Sequence, residues 1–108
     1  NHVGNFCGAP IMIDTQTGEV YYTPIYHVLS QFSQTIRPGD KALQVETQLD
    51  GLDNDALHAS AAMSETNLVS TQLLNTTKTP IKFSLQIGEQ FIEVAMPANA
   101  VLTVQVQL

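Results

Sequence analysis

From Lys41 to the end, the chain repeats one pattern: apolar and polar residues alternate in short runs separated by turn-forming clusters. Leu43, Val45, Thr47 and Leu49 fall on one side of an extended chain, with Gln44, Glu46 and Gln48 on the other. The same period of two places Leu57, Ala59, Ala61 and Met63 opposite His58, Ser60 and Ser64. It returns in Ile81, Phe83, Leu85 and Ile87, in Ile92, Val94 and Met96, and in Leu102, Val104, Val106 and Leu108. Residues 68–74, apolar at both ends, read as a strand buried on both faces. Side chains in a strand point alternately to opposite faces, so each run offers one greasy face and one wet face. Six such strands at about 8–12-residue spacing predict an antiparallel β-sandwich or meander.

Before Gly39 the period changes. In residues 23–36, Ile25, Val28, Leu29, Phe32 and Ile36 recur at steps of three and four, the spacing of one side of an α-helix. Pro24 suits the first turn, where its missing N–H costs nothing, and Thr23 is placed to cap the free donors. Arg37 complements the helix dipole and Pro38-Gly39 ends the segment. Ahead of the helix, Ile11-Met12-Ile13 and Val20-Tyr21-Tyr22 flank the turn residues Thr15-Gln16-Thr17-Gly18, which reads as a small hairpin. The expected fold is mostly β: an antiparallel sandwich of six to eight strands with one N-terminal helix.

Composition excludes several functions. A net charge of −6 with only Arg37, Lys41, Lys78 and Lys82 as basic residues leaves no cationic cluster for phosphate. Nucleic acid and an anionic membrane surface are therefore not expected partners. Cys7, the single cysteine, excludes an internal disulfide framework, leaves the compartment open and has no neighbouring base to activate it. Glu46, Glu65, Glu89 and Glu93 fall at outward positions or in turns and read as solvated surface. Asp50, Asp53, Asn54 and Asp55 lack the Asp-x-Asp-x-Asp-Gly order of a calcium loop. His2, His27 and His58 have no metal-ligand spacing, so neither a metal nor another cofactor is expected. Asn75-Thr76-Thr77 is formally a glycosylation sequon, and it also fits a hairpin turn, which is the preferred reading. Tyr21, Tyr22, Tyr26 and Phe32 are read as residues of the core or of an interdomain contact.

Several stretches together resemble a known family. The loop GNFCGAPIMID leads into TQTGEVYYTPIYHVLSQFSQTIRPGDKAL, followed by LLNTT and AMPANAVLTVQV. This order resembles the C-terminal region of glycoside hydrolase family 30, the glucosylceramidase-like β-glycosidases. Tyr26-His27 and Phe32-Ser33 correspond to pairs on the last helix of that family's (β/α)8 barrel. Leu74-Asn75-Thr76-Thr77 corresponds to a hairpin of its sandwich, and the stretch 97–104 to the closing strand. His2 departs from the pattern, standing where relatives often carry an aromatic residue.

The resemblance implies residues 1–38 as the barrel-end loop, hairpin and last helix, and residues 39–108 as the β-sandwich domain. It also implies that the paired carboxylates of a retaining glycosidase, about 5–5.5 Å apart, lie upstream, so the chain carries no catalytic residue. Asn5 and Phe6 would stand at the rim of the active-site mouth with the barrel present. The implied partner is the catalytic barrel. Family sandwiches are usually completed by a strand from the N-terminal end of the enzyme. Without that strand and the barrel, the helix side of Ile25, Val28, Leu29 and Phe32 predicts self-association or a helix folded back onto the sandwich. The alternative function is an autonomous carbohydrate-binding module, which would require an exposed aromatic strip and direct glycan contact.

Overall fold

The computed structural model describes residues 8–53 and 55–108. They fall into two compact units that divide between Gln34 and Thr35.

The first unit is a hairpin and a helix. Strand β1 (Ile11–Ile13) pairs antiparallel with β2 (Val20–Tyr22), Met12 opposite Tyr21. Asp14 shapes the connecting loop: its Oδ1 accepts from the backbone N–H of Gln16 at 2.8 Å and of Thr17 at 3.2 Å. These donors favour the charged carboxylate, with Gln16 the stronger cause, and hold the Asp14 pKa below its ordinary value of 3.8. Nearby, the Tyr21 hydroxyl donates to Glu19 at 2.6 Å, which raises the phenol above its usual 10.0.

Helix α1 (Pro24–Thr35) begins at the expected proline. Its first free donors are met differently from the expectation. Tyr26 and His27 donate to the backbone carbonyl of Thr23, at 3.0 and 3.4 Å. The Thr23 hydroxyl is turned back toward the carbonyls of Ala9 and Pro10, at 3.1 and 3.0 Å. It therefore ties the strand entry to the helix start and does not cap the helix. At the other end α1 stops at Thr35, with no basic residue in its last turn. Arg37 lies beyond it in a turn closed by Asp40, whose carboxylate accepts from the Arg37 N–H at 2.8 Å.

The second unit is an antiparallel β-sandwich. One sheet has the order β3-β4-β5-β8, built from Lys41–Leu43, Leu57–Met63, Leu68–Asn75 and Ala100–Gln107. The other has two strands, β6 (Ile81–Ile87) and β7 (Gln90–Met96). All of these pairings are antiparallel. Gly88-Glu89 forms a two-residue hairpin loop with positive φ at Gly88, as a type II′ turn requires. Asn99 supplies the positive φ of the next turn, a conformation asparagine tolerates.

The predicted alternation is clearest in β6 and β7. In β6, Ile81 and Ile87 are buried while Lys82, Ser84 and Gln86 are exposed. Leu57, Leu73, Ile81, Val94 and Met96 make one core cluster; Val69, Ile87 and Val106 make a second. Leu85, Ile92 and Val104 pack against both. Burying a side chain such as Val69 or Leu73 stabilises the fold by roughly 1.5–3 kcal/mol. The central strand β5 is covered on both faces, as its composition implied: Val69, Ser70, Thr71, Gln72 and Leu73 are all buried.

The run predicted from Lys41 to Leu49 is cut short. Pairing with β4 ends at Leu43, and residues 44–49 belong to no strand. Alternation survives there in part, since Val45 and Leu49 are half-buried and Gln44, Glu46 and Gln48 exposed. What is lacking is a neighbouring backbone to bond with.

Candidate functional site

The sandwich opens along β6. The inner face of β4 (Ala59, Ala61) and of β5 (Val69, Thr71, Leu73) floors a half-open cavity of about 750 Å³. Residues 83–88 form one wall and residues 43–49 the other, and Phe91 stands at the lip. The shape has a simple origin. A four-stranded sheet faces a two-stranded one, so part of the larger sheet's apolar face has no strand across from it. Among the described residues β6 is bonded to β7 along one edge only, which leaves a row of backbone N–H and C=O groups along its other edge.

The cavity is poorly equipped for hydrolysis. Glu46 is the one carboxylate among its described lining residues, and retaining glycoside cleavage requires two. Glu65, Glu89 and Glu93 are exposed on strands or turns, as expected from their positions. Among the described residues no group of three or more His, Cys, Asp or Glu comes together. His27 and His58 are both exposed, on the helix and on β4. Among the described residues no helix is long and apolar enough to cross a membrane. Asn5 and Phe6, with His2 and Cys7, lie outside the described residues.

Asn75 is fully buried at the end of β5. Its Nδ2 donates to the carbonyls of Thr79 (3.0 Å) and Pro97 (2.8 Å). Its Oδ1 accepts from the Thr77 N–H (2.9 Å) and hydroxyl (2.7 Å). One amide thus fastens the β5–β6 connection to the β7–β8 turn. An amide nitrogen committed to two carbonyls inside the fold is closed to glycosylation, so the sequon is a structural device.

Residues 41–104 match the glycosyl hydrolase family 30 beta sandwich domain, well over half of the chain. The chain belongs to this family. No curated protein and no solved structure matches it. The matched residues lie within the second unit described above, mostly β with antiparallel sheets, and the cavity beside β6 is lined by residues of the matched range.

Two features escaped the sequence reading. Burial of Ser70 and Gln72 on the outward face of β5 was expected, but its cause was not: Thr35 lies over them. Ser70 donates to the Thr35 carbonyl at 2.9 Å, and Gln72 Nε2 to the Thr35 hydroxyl at 2.8 Å. The Gln72 Oε1 is buried with no hydrogen-bond partner. Alternation assigns a polar side chain to the outer face but says nothing of what covers that face.

The second concerns the aromatic residues read as core or interdomain packing, for which the described residues supply no core. Tyr21, Tyr22 and Phe32 are exposed, and α1 has no buried residue at all. Tyr22 and Tyr26 do contact each other, ring centroids 4.7 Å apart. The helix periodicity located an apolar side, but nothing within the hairpin–helix unit buries it.

Proposed function

We propose that this chain is a non-catalytic C-terminal β-sandwich of a family 30 β-glycosidase, bracing the enzyme's catalytic (β/α)8 barrel. Residues 1–38 close the barrel and residues 39–108 form the accessory domain. The observation that carries the reading, beside the family match, is the uncovered apolar side of α1. Ile25, Val28, Leu29 and Phe32 lie on one side of the helix and all remain exposed. A contiguous patch of this kind marks an interaction surface. In this reading the barrel covers it, with Asn5 and Phe6 at the mouth of the active site. The cavity beside β6 receives the strand that completes the sandwich.

The test has two parts. The isolated chain is expected to hydrolyse no aryl β-glycoside above the blank rate, and saturable turnover would overturn the reading. In the whole enzyme, Leu29→Gln is expected to lower Tm by several degrees, since it strips an apolar contact from the interface. An unchanged Tm would overturn the bracing role. The carbohydrate-module alternative rests on one ring of the sandwich, Phe91, which is 67% exposed. Saturable glycan binding by the isolated chain, abolished by Phe91→Ala, would favour that alternative.

A further inference from the structure

We propose that Asp50-Gly51 is a site of spontaneous backbone modification, where the folded protein converts aspartate to isoaspartate. The reaction needs a carboxyl group, the next residue's amide nitrogen, and freedom for the two to meet. Both groups stand in the exposed turn that follows residues 44–49.

Gly51 supplies the freedom. Its φ is +76°, and a Cβ built on it would meet nothing within 4 Å. Glycine crosses between backbone conformations that other residues resist, and it places no side chain beside its own nitrogen. Among the described residues, neither the Asp50 carboxylate nor the Gly51 N–H enters a hydrogen bond.

Comparable positions are each held by a bond. The Asp14 carboxylate accepts from the N–H groups of Gln16 and Thr17, and that of Asp40 from Arg37. After Asp55, the attacking nitrogen would be that of Ala56, which donates to the Asp53 carbonyl at 2.9 Å. After Asn67 it would be that of Leu68, which donates to the Ser64 hydroxyl at 3.1 Å.

In the first step the Gly51 nitrogen attacks Asp50 Cγ. A C–N bond forms, the bond from Cγ to the carboxyl hydroxyl breaks, and water leaves with the amide hydrogen, giving a cyclic succinimide. Water then adds to one of the two ring carbonyls. Opening at the original backbone carbonyl routes the main chain through the side-chain carbon, one methylene longer, with a free α-carboxylate. Opening at the other carbonyl restores aspartate. No oxidant, reductant or cofactor enters. The fold accommodates the longer link, because both flanks are fixed independently of the turn. Leu49 packs on the cluster of Leu57 and Leu73, and buried Ala56 accepts from the Thr76 N–H at 3.1 Å.

The whole protein, kept folded at neutral pH over weeks, tests the assignment. Samples are treated with isoaspartyl methyltransferase and a labelled methyl donor, then digested, and the labelled peptide is located by mass spectrometry. Isoaspartate is expected at residue 50, formed within about threefold of its rate in the guanidinium-unfolded chain, since a turn that opens at almost no cost gives no protection. Asp50→Glu, which would have to close a larger ring, is expected to remove the label from this peptide. A folded-state rate at least about tenfold below the unfolded one would overturn the proposal, because it would mean that the turn is held. So would label that persists in Asp50→Glu, or isoaspartate that arises as fast at Asp14 or Asp40 as at Asp50.

Discussion

Replacing Asn75 probes how one buried amide holds two turns together. Asn75→Ala removes four hydrogen bonds of 2.7–3.0 Å. At about 1 kcal/mol net for each, the ceiling is near 4 kcal/mol. Thr79 and Pro97 are exposed residues, so water can reach their released carbonyls and recover part of that. Thr77 is only half-exposed and recovers less. A loss of about 2–4 kcal/mol remains, which moves the urea midpoint of the 108-residue chain by about 1–3 M. Asn75→Asp sharpens the test. It keeps the acceptor for Thr77 but turns a carboxylate oxygen toward the carbonyls of Thr79 and Pro97. Those carbonyls and burial disfavour the charge, so the folded-state pKa lies above the unfolded value of about 3.9. A raised pKa contributes stability below the unfolded value that is lost as pH rises through the folded one. The aspartate variant should therefore lose about 1.4 kcal/mol per pH unit over that window. Unfolding by urea at pH 3.5 and pH 7, followed by circular dichroism, reads both effects. An alanine variant within about 0.5 kcal/mol of the parent, or an aspartate variant equally stable at both pH values, would refute the argument.

The remaining expectations concern the core and the hairpin. Leu73→Ala deletes a side chain that is 1% exposed at the centre of the larger core cluster. It should cost about 2–5 kcal/mol in the same urea assay, and a loss below about 1 kcal/mol would mean that the site collapses or was never packed. Asp14 has a lowered pKa, so its contribution is present above pH 3.8 and fades as pH falls through the lower folded value. An NMR titration should show the Gln16 and Thr17 amide resonances moving together in that acid range, and amides that stay still from pH 5 to pH 2 would contradict the loop geometry.

The strands after residue 57 were legible because each has a partner that makes alternation meaningful. Ile81, Phe83, Leu85 and Ile87 face the larger sheet, and their polar neighbours face water. Residues 44–49 carry the same pattern and failed as a strand, since alternation states which face a side chain would take and not whether a second backbone lies alongside. The helix shows the same division. Its apolar spacing was readable from Ile25 to Phe32, but a period cannot say whether its cover lies in the same chain. Thr23 and Arg37 were assigned roles by residue type and neighbouring sequence; the Thr23 hydroxyl turns to carbonyls elsewhere, and Arg37 falls past the end of the helix. Burial of β5 on both faces was readable, but what covers Ser70 and Gln72 was not, for Thr35 lies thirty-five and thirty-seven positions away. Asn75 was readable as a turn residue. Its reach to Pro97 was not, because that carbonyl is twenty-two positions on.

These features share a cause. The two core clusters are bridged by Leu85, Ile92 and Val104, and all three are only half-buried. A side chain that links two clusters while partly wet contributes less than its full burial would, as the hydrophobic gain scales with the area removed from water. A strand set beside β6 would cover the cavity floor without moving the residues already in place, because Ala59 and Ala61 present small side chains there. Its binding would stabilise the folded state by linkage, since only the folded sandwich offers the position. β5, paired on both sides, is buried from Val69 to Leu73, whereas β6 among the described residues is paired along one edge. The domain's stability and its attachment to the enzyme would then rest on the same hydrogen bonds.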